Sequence, residues 1–241
     1  MRMRLLLASV FGLAVIGGVA WADMPGQAAA KPASASHPVV VELYQSQGCS
    51  SCPPAQDNIN AIADRPDVVA LSFAVTYWDY LGWKDSFASP RFTARQWDYA
   101  HHNARNQVAT PQVWVNGRTT ILGSDRPELD ATIARTGGFR SPALAIRDNR
   151  LQVAAGAAPK GGADLWLVRY DPRTVQVAIR AGENGGRTLP HRDIVRGLVK
   201  VGHWTGAAQT LPLPSPAPSP LKSVVLLQAG AGGPIVDALR I

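Results

Sequence analysis

Hydrophobic positions are spaced differently in the two halves of the chain. Val39-Val40-Val41-Glu42-Leu43-Tyr44 and Val68 to Val75 are short, nearly unbroken apolar runs, the pattern of strands buried on both faces. Between them Ile59, Ile62 and Ala63 recur at helical spacing after Pro53-Pro54, and proline at a first helical turn costs little because its missing N–H has no partner there. Ser89-Pro90 opens a second helix predicted to reach Asn106, with Phe92, Trp97 and Ala100 toward one face. Val113-Trp114-Val115 and Thr119 to Leu122 flank Asn116-Gly117, the favoured pair for a tight hairpin turn. A last helix spans Pro127 to Thr136 and stops at Gly137-Gly138. The order β-α-β-α-β-β-α predicts a mixed sheet flanked by helices over residues 39–138.

From Phe139 onward the period falls to two. Val175, Val177 and Ile179 alternate with Gln176, Ala178 and Arg180. Leu151 to Val153, Asp164 to Tyr170, Val224 to Leu227 and Ile235 to Leu239 read similarly, with Gly and Pro between them. This predicts an antiparallel, β-sandwich-like C-terminal domain over residues 139–241. Ile194 to Val201 fits a helix and a strand equally well, and the prolines at 212, 214, 216, 218 and 220 mark an exposed connector or edge.

The ends of the chain change how its composition reads. Met1-Arg2-Met3-Arg4, the apolar run Leu5 to Val19 and Ala20-Trp21-Ala22 have the three parts of a cleavable export signal. The run is shorter than the ~20 residues of a comfortable membrane span. Residues 1–22 are therefore expected to direct the protein to the periplasm or outside the cell, leaving no stable membrane span after cleavage. Residues 23–38, rich in Ala, Ser and Pro, are expected to form a flexible linker. Cleavage removes Arg2 and Arg4 and no acid, lowering the net charge from +7 to +5. The remaining basic residues are scattered, which gives no footprint for nucleic acid.

Two cysteines are too few to staple a small fold or to build an all-cysteine zinc site. Their spacing, Cys49-Ser50-Ser51-Cys52 between a strand and a helix start, instead suits thiol–disulfide exchange. A helix N-terminus favours the thiolate on the first cysteine, and the second lies near enough to resolve a mixed disulfide. Cys49 is the expected nucleophile and Cys52 the resolving thiol. Two other readings stay open: a structural disulfide in a non-catalytic binding module, and an envelope metal carrier, for example of copper. For the latter His101-His102 is the only adjacent histidine pair, although its helical setting suits a solvated face. No resident metal or cofactor is expected. Thr110-Pro111 stands just before a strand, where an X-Pro bond can be cis and the backbone of Thr110 can pair with an extended substrate.

Taken together these features resemble the thioredoxin fold, in which a cis proline faces the cysteines across the substrate groove. The finer resemblance is to the secreted thioredoxin-like family known as domain of unknown function 1223. It is carried by Glu42–Gln56 (ELYQSQGCSSCPPAQ), Tyr77–Gln96 (YWDYLGWKDSFASPRFTARQ), Thr110–Gly117 (TPQVWVNG) and Gly182–Leu189 (GENGGRTL). The resemblance implies a fold and a location but no settled activity. It also exposes a departure: relatives commonly carry His-x-Asp where this chain has Ala74-Val75-Thr76, which removes two groups able to move protons. Asp79 and Asp85 are candidate substitutes, though loop carboxylates more often cap backbone or face water. Among Tyr77, Trp78, Tyr80 and Trp83, Trp78 is the one expected to be exposed in a groove. The combined expectation is an exported thiol–disulfide oxidoreductase acting on protein or peptide thiols and disulfides, with a possible redox partner protein, using Cys49 and Cys52 and binding substrate at Thr110, Pro111 and Trp78.

Overall fold

The computed structural model describes residues 31–139 and 143–241. The expected export signal, and residues 23–30 of the expected linker, lie outside the described residues. The rest of that linker touches the fold where Lys31 bridges Gly138 and Ala33 packs on the core, and it turns on itself where Ser34 bridges His37.

The first half folds as β1 (Val39–Gln45), α1 (Pro53–Ile62), β2 (Val68–Ala74), α2 (Pro90–His102), β3 (Gln112–Val115), β4 (Thr119–Ile121) and α3 (Arg126–Thr136). β1 and β2 run parallel, and both are buried along their whole length. Helices cover both faces, which is why their sequences are apolar runs without alternation. The β3–β4 turn has φ of 48° at Asn116 and 62° at Gly117, the positive values that favour Asn-Gly. α2 ends at His102, short of Asn106. The polar run from His101 to Gln107 offers no face to bury, and Ala104 turns to a φ of 52°.

The second half comprises β5 (Leu144–Arg147), β6 (Arg150–Val153), β7 (Ala163–Asp171), β8 (Val175–Ala178), β9 (Thr188–His191), β10 (Ile194–Trp204), β11 (Gln209–Pro212), β12 (Lys222–Ala229) and β13 (Ile235–Arg240). The expected independent sandwich does not form. Strands of both halves join one eight-stranded sheet in the order β13-β12-β7-β10-β2-β1-β3-β4. The junction is narrow: β10 meets β2 only where Ile194 lies opposite Ser72. Two further sheets complete the structure, β11-β6-β5 and the β8-β9 hairpin. The described residues thus form a mixed α/β fold with a large central mixed sheet, three α-helices and additional β-sheets.

Packing explains why the halves fuse. On one face, α2 contributes Phe92 and Tyr99 to a core that holds Tyr44 and Phe73 from the first half and Val168, Tyr170, Val224 and Leu226 from the second. On the other face the cover is divided. α1 and α3 pack Ile59, Ile62, Leu129 and Ile133 on β1 and β3, while the three-stranded sheet packs Leu144, Leu151 and Val153 on β7 and β12. The sandwich-like pattern in the sequence therefore reflects a local double layer on a shared sheet.

β10 settles the ambiguous segment as a strand. Its register against β7 shifts between Val195 and Gly197 and again between Lys200 and Gly202. Each bulge adds a residue and interrupts the two-residue period.

A charged group lies in the shared core. Arg95 of α2 donates from Nε and Nη2 to Glu42 Oε1 of β1 at 3.1 and 2.8 Å, and from Nη1 to Gln228 Oε1 of β12 at 2.8 Å. Tyr99 donates to the other Glu42 oxygen at 2.5 Å. The guanidinium carbon lies 5.3–5.8 Å from the ring centroids of Phe73, Tyr99 and Trp166. Every polar atom of the pair finds a partner, the condition under which a buried ion pair is tolerated. Arg95→Met leaves Glu42 buried without its cation and should cost about 3–5 kcal/mol in equilibrium urea unfolding. A loss under about 1 kcal/mol would show that the pair is dispensable.

Candidate functional site: the Cys49–Cys52 pair and its roof

β1 ends at Gln45, and the chain turns through Ser46, Gln47 and Gly48. Gly48 N donates to Ser46 Oγ at 3.1 Å and Cys49 N to Ser46 O at 3.1 Å. Cys52 N then donates to Cys49 O, and Gln56 N to Cys52 O, so Cys52 is the N-cap of α1, with Pro53 in its first turn. The two cysteines are joined as a disulfide with Cα atoms 5.5 Å apart. Both are buried, at 0% and 2% exposure, whereas Ser50 and Ser51 between them are exposed.

Three walls surround the pair. The first is the segment ahead of β3, where the Thr110–Pro111 bond is cis. Ser51 Oγ lies 3.3 Å from Cys49 Sγ and donates to Thr110 O at 3.4 Å, which brings the cysteine segment against Thr110. Gln96 of α2 holds this segment, its Nε2 donating to Ala109 O at 2.8 Å and Gln112 Oε1 at 2.9 Å.

The second wall is the aromatic loop from Thr76 to Ser89. Trp78 is half-buried, not exposed, because its indole N–H donates to Thr110 Oγ1 at 2.7 Å and its ring packs on the shared core. Tyr80 is the exposed member, at 79%. Trp83 Nε1 donates to Gln47 Oε1 at 2.9 Å. Asp85 is buried and accepts from Gln47 N at 2.7 Å and Phe87 N at 2.8 Å. It thus caps backbone, as does Asp79, whose Oδ1 accepts from Asp85 N. Burial raises the Asp85 pKa to about 6 against the opposing pull of those N–H groups. Ala74 and Thr76 bring no titratable group, and the Thr76 hydroxyl pairs with Thr93.

The third wall comes from the second half and was not legible as site machinery in the sequence. Asn184, at 0% exposure, donates from Nδ2 to Gln47 O at 3.0 Å and Cys49 O at 2.8 Å. Glu183 accepts from Ser50 N at 2.9 Å and Ser50 Oγ at 2.7 Å, and its own N–H donates to Gly48 O at 3.3 Å. These bonds hold its carboxyl below the usual range, so an anion stands beside the cysteine segment. Gly182 has φ of +74°, with Gly48 directly beneath it. Beyond this roof, Leu189, Pro190 and His191 of β9 line a small cavity with Cys52, Pro53 and Gln56. The signal for these residues was the Gly182–Leu189 string, whose glycines flank an acid and an amide.

Among the described residues, no group of three or more His, Cys, Asp or Glu side chains is arranged to hold a metal ion. His101 and His102 are exposed at the end of α2. No described helix is long and apolar enough to cross a membrane.

The chain belongs to the family of proteins of unknown function termed DUF1223, whose model matches residues 40–228. A solved structural-genomics protein of Agrobacterium tumefaciens is similar at 32% identity, with a TM-score of 0.65 over 88% of this chain and 96% of that one. HBP35 of Porphyromonas gingivalis shares the fold at 12% identity, with a TM-score of 0.55 over 88% of this chain and 76% of that one. No functionally curated protein matches.

The raised pKa of Asp85 has a definite sign. The folded protein keeps a proton up to about pH 6 that the unfolded chain releases near pH 4, so this contribution to stability is full below pH 4 and is lost as pH rises through 6. Asp85→Asn should flatten the fall in urea-unfolding free energy between pH 4 and 6 relative to wild type. An unchanged slope would contradict the assignment.

Proposed function

We propose that this is an exported, thioredoxin-like thiol–disulfide oxidoreductase acting on protein or peptide thiols and disulfides. Cys49 is the residue that exchanges with substrate and Cys52 the one that resolves it. The observation that carries this reading is the cysteine pair at the β1–α1 junction, packed through Ser51 against Thr110 and cis-Pro111. The order β2-β1-β3-β4, with β1 parallel to β2 and antiparallel to β3, is the arrangement expected of a thioredoxin-like core and supports the same reading. Export is supported by the basic Met1–Arg4 segment, the apolar Leu5–Val19 run and Ala20-Trp21-Ala22.

The chemistry is a pair of exchanges. A thiolate on Cys49 attacks a substrate disulfide and forms a mixed disulfide, and Cys52 then attacks Cys49 Sγ, closing the internal bond and releasing the substrate thiol. Trp78 and Thr110 form the side of the groove that receives substrate, with the cis proline beside them. Because Cys49 is wholly covered, the site must open before exchange.

That same burial favours a second reading, in which the disulfide is structural and the protein is a non-catalytic binding module. Covered, inert disulfides are the ones that persist unreacted. Trapping separates the two. A Cys52→Ser variant, expressed with its export signal, should accumulate mixed disulfides through Cys49 that reductant dissolves and that Cys49→Ser abolishes. Absence of such adducts would overturn the oxidoreductase reading in favour of the structural one.

A further inference from the structure

His191 is the least explained polar side chain near the site. It is 2% exposed, and neither Nδ1 nor Nε2 has a hydrogen-bond partner among the described residues. Burying a polar group without a partner is costly, and native structures rarely retain one without reason. A purely structural role, stacking edge-on against Phe87 at 5.7 Å between centroids, would be met more cheaply by phenylalanine. The ring lines a cavity of about 10 Å³ that Cys52 also lines, together with Gln45, Ser46, Gln56 and Asp57. That volume is at the lower limit for a single water.

We propose that His191 is the proton acceptor for Cys52, receiving the thiol proton directly or through one water as Cys52 attacks the mixed disulfide. This inference rests on the thiol–disulfide reading above. In the step, the Cys52 S–H bond breaks and its proton moves to a neutral imidazole nitrogen. The freed electron pair forms the Cys52–Cys49 S–S bond, the Cys49–substrate S–S bond breaks, and the substrate leaves as a thiolate. That thiolate then takes a proton from His191 or solvent. The protein's two thiols are oxidised and the substrate disulfide is reduced; in the opposite direction His191 protonates the departing Cys52.

The surroundings suit a group that starts neutral. Burial lowers the His191 pKa to about 4, so the ring is neutral at pH 7, and it gains basicity only as negative charge develops on Cys52 beside it. Ionisable groups around it include Asp57 of α1 on the cavity wall, Arg196 of β10, whose guanidinium carbon lies 5.1 Å from the Phe87 ring centroid, and Arg192 and Asp193, the next two residues of the chain. Proton transfer creates an imidazolium beside a thiolate, two charges that stabilise each other where water is scarce.

Stopped-flow reaction of the reduced full-length protein with 5,5′-dithiobis(2-nitrobenzoate) tests this. The first thionitrobenzoate released reports attack by Cys49, and the second reports displacement by Cys52. His191→Gln and His191→Phe, the latter keeping the ring contact with Phe87, should each slow the second release on the order of 100-fold at pH 7 and the first much less. The deficit should shrink toward pH 9 as Cys52 ionises unaided. Wild-type rates and pH profiles in both variants would overturn the role of His191 while leaving exchange intact. Equal slowing of both releases at every pH would also overturn it, in favour of a packing role. No release from the wild type would instead remove the exchange reading, and this inference with it.

Discussion

The structure depends on a cation placed where the hydrophobic effect alone would not put one. Arg95 is buried between the two halves of the chain, bound to Glu42 on β1 and to Gln228 on β12. Its desolvation is offset only while both partners and the surrounding rings are in place. That requirement fixes α2 on the sheet, and what α2 holds follows from it. The next residue, Gln96, clamps Ala109 and Gln112, which sets Thr110 and Pro111. Thr110 in turn receives Trp78 and Ser51. The position of the cysteine segment is therefore linked to a core ion pair through side-chain contacts that can each be named.

The same dependence runs from the other half. β10 is joined to β2 at one residue pair, so a second connection has to keep the C-terminal strands in register with the first half. Among the contacts that do so are the core around α2, the Arg192–Asp64 and Arg240–Pro66 bonds, and the bonds from Glu183 and Asn184 to Gly48, Cys49 and Ser50. Each Asn184 bond is worth about 0.5–1.5 kcal/mol net, far less than the packed core, and Glu183 is exposed to water. The halves are thus held firmly at the sheet and lightly at the site. Opening at the cysteine segment, which the proposed exchange would require, therefore breaks only these few bonds.

Much of the first half was legible in the sequence because its elements follow simple local rules. Asn116-Gly117 turns, Pro53 and Pro90 start helices, and buried strands read as apolar runs. The period of two in the second half predicts its β-structure but not the sheet its strands join. Period two indicates that a strand has one buried face, and it carries no information about which layer that face meets. The glycine-bearing bulges of β10 erased even the period. At the site, Cys49, Cys52, Thr110 and Pro111 were legible because strand–C-x-x-C–helix and X-Pro are local signatures. Asn184, Glu183 and His191 were not, since they reach the cysteines from more than 130 residues away in sequence. Trp78 is less exposed than the local sequence predicts because the partner for its indole N–H, Thr110, lies 32 residues on.

In the proposed function, a site assembled from both halves keeps its disulfide exchangeable despite its burial. The most direct measurement is the reduction potential of the Cys49–Cys52 pair, from redox equilibration with glutathione and thiol quantification. A potential between about −120 and −270 mV, the span of known dithiol oxidoreductases, is the predicted result. A potential below about −300 mV, where structural disulfides fall, would contradict the account.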